Sequence, residues 1–280
     1  MKLFKSASVV VLLLALAACA TNMHYSSSVV DYLYPKLDKP VVTAEQVPVL
    51  RLPLRVGIAF VPRGSGKTYW ASADSTLTEN EKMQLMEEVG SHFTRLDYVK
   101  DIEIIPSAYL KPQGSFANLE QIQTMFGIDV VALISYDQSQ FTDEGMLSFT
   151  YWTLIGAYVV SGEKNETHTM LDTAVYDISS HKLLFRAPGL SQVKGSSTPV
   201  NLSEERRQDS LKGFQLASQD LIVNLDAALQ RFSDKVKARP EEFRIEHRPG
   251  YSGGAGGGGS LGLGLIIPLL VGVCLRRREG

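Results

Sequence analysis

The chain has 280 residues, and 28 basic against 30 acidic side chains give it a formal net charge of -2. Five of the basic residues and one acidic residue lie at the two ends, so the remainder carries 23 basic against 29 acidic side chains and a net charge of -6. Binding of nucleic acid through its phosphates requires a concentrated basic face, and this composition therefore excludes nucleic acid as an expected partner.

The first 19 residues have the layout of an export signal. Two lysines lie within residues 1–5, an apolar run covers residues 8–15, and the sequence Leu-Ala-Ala-Cys occupies residues 16–19. This pattern resembles a bacterial lipobox. The resemblance implies that the thiol of Cys19 receives a diacylglyceryl group, that the chain is cut between Ala18 and Cys19, and that the new amine is acylated. The alternative is an ordinary secretory signal that is cut at an Ala-x-Ala-like site.

Acylation makes Cys19 a membrane anchor rather than a nucleophile. One acyl chain holds a protein only marginally, at ~0.8 kcal/mol per buried methylene, whereas two or three chains hold it durably. Ala20, and not aspartate, follows the cysteine, which in such lipoproteins implies that the sorting machinery passes the protein to the outer membrane. We therefore expect residues 1–18 to be a signal peptide and the body to lie in the periplasm or at the cell surface.

The body divides into three predicted parts. Residues 19–50 contain scattered prolines and serines without a sustained period, which predicts a tether. Residues 51–235 are predicted to form an α/β envelope domain, and residues 236–252 a linker. Within the domain, apolar runs and alternation predict strands over residues 54–61, 102–105 and 130–136 and a hairpin of strands over residues 167–177 and 182–186.

Three helices are predicted between these strands. Thr78 and Glu81 form a capping-box pattern ahead of an amphipathic stripe, residues 119–126 precede a stop at Gly127, and residues 202–232 carry one long apolar stripe. The element order predicts an α/β fold with a mixed sheet packed with helices. That order is similar to the TolB amino-terminal, curli-secretion and penicillin-binding-protein-activator families of periplasmic lipoprotein domains, which implies partner binding or assembly.

No pattern in the body predicts a cofactor, a metal or a catalytic group. Residues 64–68 imitate a phosphate-binding loop, but Val61 stands where that motif requires glycine. No histidine has a second ligand at metal-binding spacing, and no serine lies in a nucleophile motif. Asp172 and Asp177 are predicted on opposite faces of a strand, which prevents paired acid-base work. The histidines are His24, His92, His168, His181 and His247.

Residues 146–160 are apolar and carry no charge. Two interpretations stay open for this stretch. As buried core it needs no further role, whereas as an exposed surface it would be a docking site for a membrane or a partner.

The composition changes abruptly in the tail, residues 253–280. Residues 261–275 are apolar, but a helix of that length rises only ~22 Å against a hydrocarbon core of ~30 Å. Glycines and a proline make it easy to unwind. The arginines that follow favour a cytoplasmic end under the positive-inside rule, and they are Arg276, Arg277 and Arg278. The second cysteine, Cys274, lies here, so the domain has no disulfide to form.

The glycine run, the short apolar helix and the arginine cluster together resemble the GlyGly-CTERM tail that rhombosortase, a rhomboid-family intramembrane serine protease, recognises. The resemblance implies a removable sorting signal that is inserted transiently in the inner membrane. It places the cut in or near the following residues: Gly253, Gly254, Gly256, Gly257, Gly258, Gly259 and Ser260. The alternative is a permanent single-pass anchor, and with Cys19 such an anchor would tether two membranes.

A lipobox and such a tail on one chain of this size resemble the rhombotarget lipoprotein family, as does the sequence Ser-Ser-Ser-Val-Val-Asp-Tyr-Leu-Tyr-Pro at residues 26–35. We therefore expect a non-catalytic, outer-membrane lipoprotein that binds an unknown envelope protein or assembles, and that is itself a substrate of a rhombosortase-type protease. The alternative is an envelope hydrolase or glycan-active enzyme, which requires a deep pocket with convergent polar side chains.

Overall fold

The computed structural model describes residues 23–35, 46–63, 77–144, 163–197 and 201–251. The predicted processing residues lie outside these ranges, namely Ala18, Cys19, residues 253–260 and residues 276–278. Residues 64–68 and 146–160 also lie outside them. Within the described ranges, no helix has both the length and the apolar character needed to cross a bilayer.

Eight strands and four helices make up the described fold. The strands are β1 (Met23–Ser26), β2 (Val49–Leu52), β3 (Leu54–Phe60), β4 (Val99–Ile105), β5 (Val130–Glu144), β6 (Glu163–Asp177), β7 (Lys182–Ser197) and β8 (Arg244–His247). The helices are α1 (Val29–Leu33), α2 (Glu79–Phe93), α3 (Ser115–Phe126) and α4 (Leu202–Ala238), and a single 3-10 turn covers Ser107–Tyr109.

The main sheet has the order β4-β3-β5-β6-β7. Strand β3 is parallel to both β4 and β5, whereas β5, β6 and β7 are antiparallel to one another. Strand β1 pairs antiparallel with β5 beyond the point where β3 ends. Strands β2 and β8 form a separate parallel pair. The predicted mixed sheet is confirmed.

Helices cover both faces of this sheet. One core lies under α2 and α4 and includes Met86, Phe214 and Leu221, which are all fully buried. The other lies under α1 and α3 and includes Leu33 and Leu119. The α/β class predicted from the order of elements is therefore confirmed.

Two helix ends follow directly from local sequence. The Thr78 hydroxyl accepts the Glu81 amide hydrogen at 3.3 Å, and the Glu81 carboxylate accepts the Thr78 amide hydrogen at 2.7 Å, which is the predicted capping box at the start of α2. Helix α3 ends at Gly127, whose φ of 66° is in the left-handed region that glycine adopts without strain. Both predicted boundaries are confirmed.

Strand β5 is twice as long as predicted. The apolar run ends at residue 136, but pairing with β6 continues to Glu144 opposite Glu163. Under α4 the extension buries Gln138 and Gln140, whose amides donate to the backbone carbonyls of Ser210 and Arg206 at 3.1 and 2.8 Å. Because these side chains are satisfied by the helix backbone, the strand continues without apolar residues.

The predicted tether over residues 19–50 is wrong where the structure describes it. Residues 23–33 form β1 and α1, and Tyr32 is 2% exposed and donates to Asn118 Oδ1 at 2.9 Å. The predicted linker is likewise occupied by the end of α4 and by β8. These elements, apart from α4, have only four or five residues, which is too short to show a hydrophobic period.

Candidate functional site

The described helices leave part of one face of β5, β6 and β7 uncovered. Strands alternate their side chains, so one face of β5, β6 and β7 turns towards α4 and the other turns away. Nearer the start of β5 that second face is covered by α1 and α3. We call the uncovered part the open face, and it consists of Asp137, Ser139 and Phe141 on β5, His168 and Met170 on β6, and Leu190 and Gln192 on β7.

The open face is a shallow surface with three apolar side chains. Phe141, Met170 and Leu190 are 40%, 38% and 59% exposed. A cavity of about 550 Å³, open to solvent, lies beside Met170 and Leu190 and extends from Asp137 to Gln192. The Phe141 ring meets the His168 ring edge-on, with centroids 5.8 Å apart. Exposed apolar groups of this kind mark contact surfaces when they lie together.

Polar and charged side chains in contact with one another border the apolar residues. At one side His24 Nε2 lies 3.0 Å from Asp137 Oδ1. At another, Glu166 accepts a hydrogen bond from Gln192 and lies 3.3 Å from His168 Nε2 and 3.9 Å from Lys194 Nζ. The hydrogen bond from Gln192, with smaller contributions from Lys194 and His168, lowers the pKa of Glu166. Glu166 is therefore ionised at neutral pH and does not store a proton.

A further ion pair closes the face towards α3. Arg186 Nε lies 2.8 Å from Asp172 Oδ1, and this hydrogen bond raises the pKa of Arg186. Asp177 instead accepts the amide hydrogen of Ser180 at 2.8 Å in the turn after β6. The two aspartates therefore do not meet, as predicted from their five-residue spacing.

Four histidines each lie against a carboxylate. Besides the two pairs on the open face, His92 Nε2 lies 2.8 Å from Asp226, and His181 Nε2 lies 3.0 Å from Glu120. The His181 ring also stacks on Phe116 with centroids 4.1 Å apart. Surface pairs of this type contribute roughly 0–1 kcal/mol each. Across the described ranges, no three metal-binding side chains converge on one point.

The open face was not predicted from the sequence. Residues 137–141 and 166–170 alternate between buried and more exposed positions. This period of two, which is typical of a strand, is the signal in the sequence from which the open face could have been found. Its position depends on which half of the sheet each helix covers, and that information is not local. The predicted processing residues, in contrast, come from sequence patterns alone.

No family model matches the chain, and no curated protein matches it either. Among solved structures it is similar to a neuraminyllactose-binding hemagglutinin homolog from Helicobacter pylori, with 10% identity, a TM-score of 0.36, and coverage of 72% of this chain and 96% of that one. It is also similar to a PelC dodecamer from Paraburkholderia phytofirmans, with 11% identity, a TM-score of 0.24, and coverage of 70% and 99%. Likenesses at this level carry no argument about function.

Proposed function

We propose that this chain is a lipid-anchored, non-catalytic lipoprotein of the bacterial envelope that binds a protein partner through the open face. The observation that carries this proposal is the exposed pair Met170 and Leu190, which lie opposite each other on β6 and β7. Phe141 lies beside His168 on the same face, and charged side chains flank all three apolar residues. Protein interfaces have this layout, with an apolar centre and a polar rim. A single-sign border would instead favour a charged ligand, and the rim here mixes both signs, with Lys194 beside Glu166 and Arg186 beside Asp172.

The size of the open face limits what it accepts. Three or four strands about 4.8 Å apart, over a few residues of about 3.3 Å each, present on the order of 300 Å². Stable dimers bury about 800 Å² on each partner. The face therefore suits one helix or one extended segment of an envelope protein better than a whole second domain.

The proposal includes the processing of both ends. Cys19 carries the lipid, and a rhombosortase-type protease removes the tail within residues 253–260. The lipobox and the GlyGly-CTERM resemblance support these steps, and so does the resemblance to the rhombotarget lipoprotein family. We also propose that the domain resembles the small periplasmic lipoprotein domains of the TolB amino-terminal and curli-secretion type. The order of its helices and strands supports this likeness.

Site-specific photo-crosslinking in the native host tests the binding site. A photo-reactive amino acid at Met170 is expected to give a discrete adduct with an envelope protein, and Leu190→Glu in the same chain is expected to abolish it. The control position is Val223 on α4, which is 66% exposed and so is more accessible than Met170. Equal adducts from both positions would show that the open face has no preferred partner.

Intact-mass measurement of the mature protein tests the processing. The expected mass corresponds to a chain that begins at acylated Cys19 and ends within residues 253–260. A mass that retains Arg276, Arg277 and Arg278 after export would overturn the cutting of the tail. A mass without acyl groups would overturn the lipid anchor.

A further inference from the structure

The chain enters and leaves the domain at opposite ends of the main sheet. We call the end where β5 continues past Gln140 the distal pole, and the end where β5 begins, beside Asp129, the proximal pole. Strand β5 connects the two without interruption. The position of each chain end can therefore be measured along this one strand.

The amino-terminal segment enters at the distal pole. Met23 pairs with Gln140, and because β1 is antiparallel to β5 the chain then runs towards the proximal pole. Contacts fix this entry point, since the Arg63 guanidinium lies 5.3 Å from the centre of the Tyr25 ring, and Tyr25 is 8% exposed. Cys19 precedes Met23 by four residues, so the two Cα atoms lie within ~14 Å of each other.

The carboxy-terminal segment leaves at the proximal pole. Arg248 donates to both carboxylate oxygens of Asp129, at 2.7 and 2.6 Å, and to the carbonyl of Pro53 at 3.3 Å. Tyr251 follows, with its amide donating to the Arg248 carbonyl at 3.1 Å. The first residue of the predicted cutting region, Gly253, is only two positions further along.

The point where the chain enters the domain is farther from the point where it leaves than the segment between Cys19 and Met23 can reach. Asp129 immediately precedes β5 and is eleven residues from Gln140, which at the rise of a strand corresponds to ~36 Å. That distance exceeds the ~14 Å reach of the chain between Cys19 and Met23. A lipid on Cys19 consequently holds the distal pole at the membrane. The predicted span over residues 261–275 begins ten residues after Tyr251, so it tethers the proximal pole to a membrane only within ~36 Å.

We infer that the mature protein stands with its distal pole against the phospholipid leaflet that carries Cys19 and presents its cut carboxy-terminal end away from that leaflet. The inference rests on the proposed lipidation and tail removal. It adds a second consequence, because an uncut tail also tethers the opposite pole to within ~36 Å of a membrane. Removal of the tail therefore releases the proximal pole from that tether.

Energy transfer from tryptophan to a dansyl headgroup lipid tests this orientation. The chain has two tryptophans, and Trp70→Phe with Trp152→Phe removes both. Phe141→Trp then reports on the distal pole, and Tyr251→Trp on the proximal pole, as a matched pair of aromatic replacements. The mature protein, purified from its host, is reconstituted into phosphatidylethanolamine and phosphatidylglycerol vesicles, and thermal melts check that each variant is folded.

Transfer from Phe141→Trp is expected to exceed that from Tyr251→Trp several-fold. In protein from a host without the protease, with the tail still present by mass, the Tyr251→Trp signal is expected to rise. Equal transfer from both positions in lipidated, cut protein overturns the orientation and leaves the proposed function intact. Absence of acyl groups from Cys19 by mass overturns the proposed function and the orientation together.

Discussion

Arg248 and Asp129 form a two-oxygen ion pair, at 2.7 and 2.6 Å, that fastens the carboxy-terminal segment to the start of β5. The Asp129 side chain is only 12% exposed, and the same carboxylate also accepts the amide hydrogen of Arg55 at 3.0 Å. Loss of one partner leaves a largely buried charge without compensation. The pair therefore contributes more than an ordinary surface contact.

The Arg55 Nε also lies 3.5 Å from Asp129 Oδ2. We expect Asp129→Ala to lower the free energy of unfolding by about 3 kcal/mol, because the guanidinium groups of Arg55 and Arg248 and the Arg55 amide lose their acceptor. Urea denaturation measures the change. The control is Glu246→Ala, which removes the partner of Arg51, a side chain that is 57% exposed, and that change is expected to cost less than about 1 kcal/mol. Similar losses in both variants would contradict the role given to Asp129.

Two adjacent valines test whether α1 belongs to the domain. Val29 is 6% exposed and Val30 is 62% exposed. Val29→Ala is expected to lower the free energy of unfolding by about 2 kcal/mol, since two buried methyl groups are lost and a cavity remains. Val30→Ala is expected to change it by less than about 0.5 kcal/mol.

Thermal or urea unfolding of the two variants gives the comparison. Both substitutions replace the same side chain in the same short helix, so helix propensity cancels between them. If Val29→Ala were as mild as Val30→Ala, the segment before residue 35 would be a tether after all, as the sequence alone predicted.

Close packing of α4 on β7 depends on Gly189. A Cβ atom at this position would lie 2.6 Å from Leu221 Cβ and would also meet the backbone carbonyl of Ala217. Because neither is the free end of a flexible side chain, Gly189→Ala is expected to cost about 2 kcal/mol through displacement of the helix. Chemical denaturation followed by circular dichroism measures this loss.

Gly195 on the same strand is the matched control. The nearest atoms that a Cβ atom there would meet belong to the Asp209 carboxylate, which can rotate away. Gly195→Ala is therefore expected to cost well under half as much as the change at Gly189. Equal costs would indicate that strand flexibility, and not the helix contact, sets the preference for glycine.

The elements that the sequence predicted are those whose signals are local. Thr78 with Glu81 and the stop at Gly127 depend on neighbours within one helical turn, and the β6–β7 hairpin depends on alternation and a turn. The capping box and the stop were found where expected. The hairpin was found as well, but β6 begins at Glu163 and β7 continues to Ser197, so both strands are longer than the predicted 167–177 and 182–186. The fold class followed from their order.

The elements that were missed depend on distant partners. Gln138 and Gln140 extend β5 only because carbonyls of Ser210 and Arg206, more than sixty residues away, accept their amide hydrogens. The open face also depends on distant elements. Helix α4 covers one face of β5, β6 and β7, whereas α1 and α3 cover the opposite face only near the start of β5. No local pattern carries that information.

Glu79 links the start of α2 to the loop after β4 and makes this contact sensitive to pH. Its carboxylate accepts the Ser107 amide hydrogen at 2.6 Å and lies 3.4 Å from Lys82 Nζ. Burial acts to raise the pKa of Glu79, but the Ser107 hydrogen bond and the charge of Lys82 outweigh it, and the pKa is lowered. The ionised form is therefore the one that the folded protein stabilises.

A carboxylate with a lower pKa in the folded than in the unfolded state adds stability above the unfolded pKa, and this stability disappears as the pH falls through the folded pKa. We expect Glu79→Gln to be less stable than the parent at pH ~7 and the difference to shrink with acidification below the ordinary glutamate range. Urea denaturation at successive pH values measures it, with Glu87→Gln on the exposed side of α2 as control. A difference that stays constant with pH would mean that Glu79 acts through packing rather than through its charge.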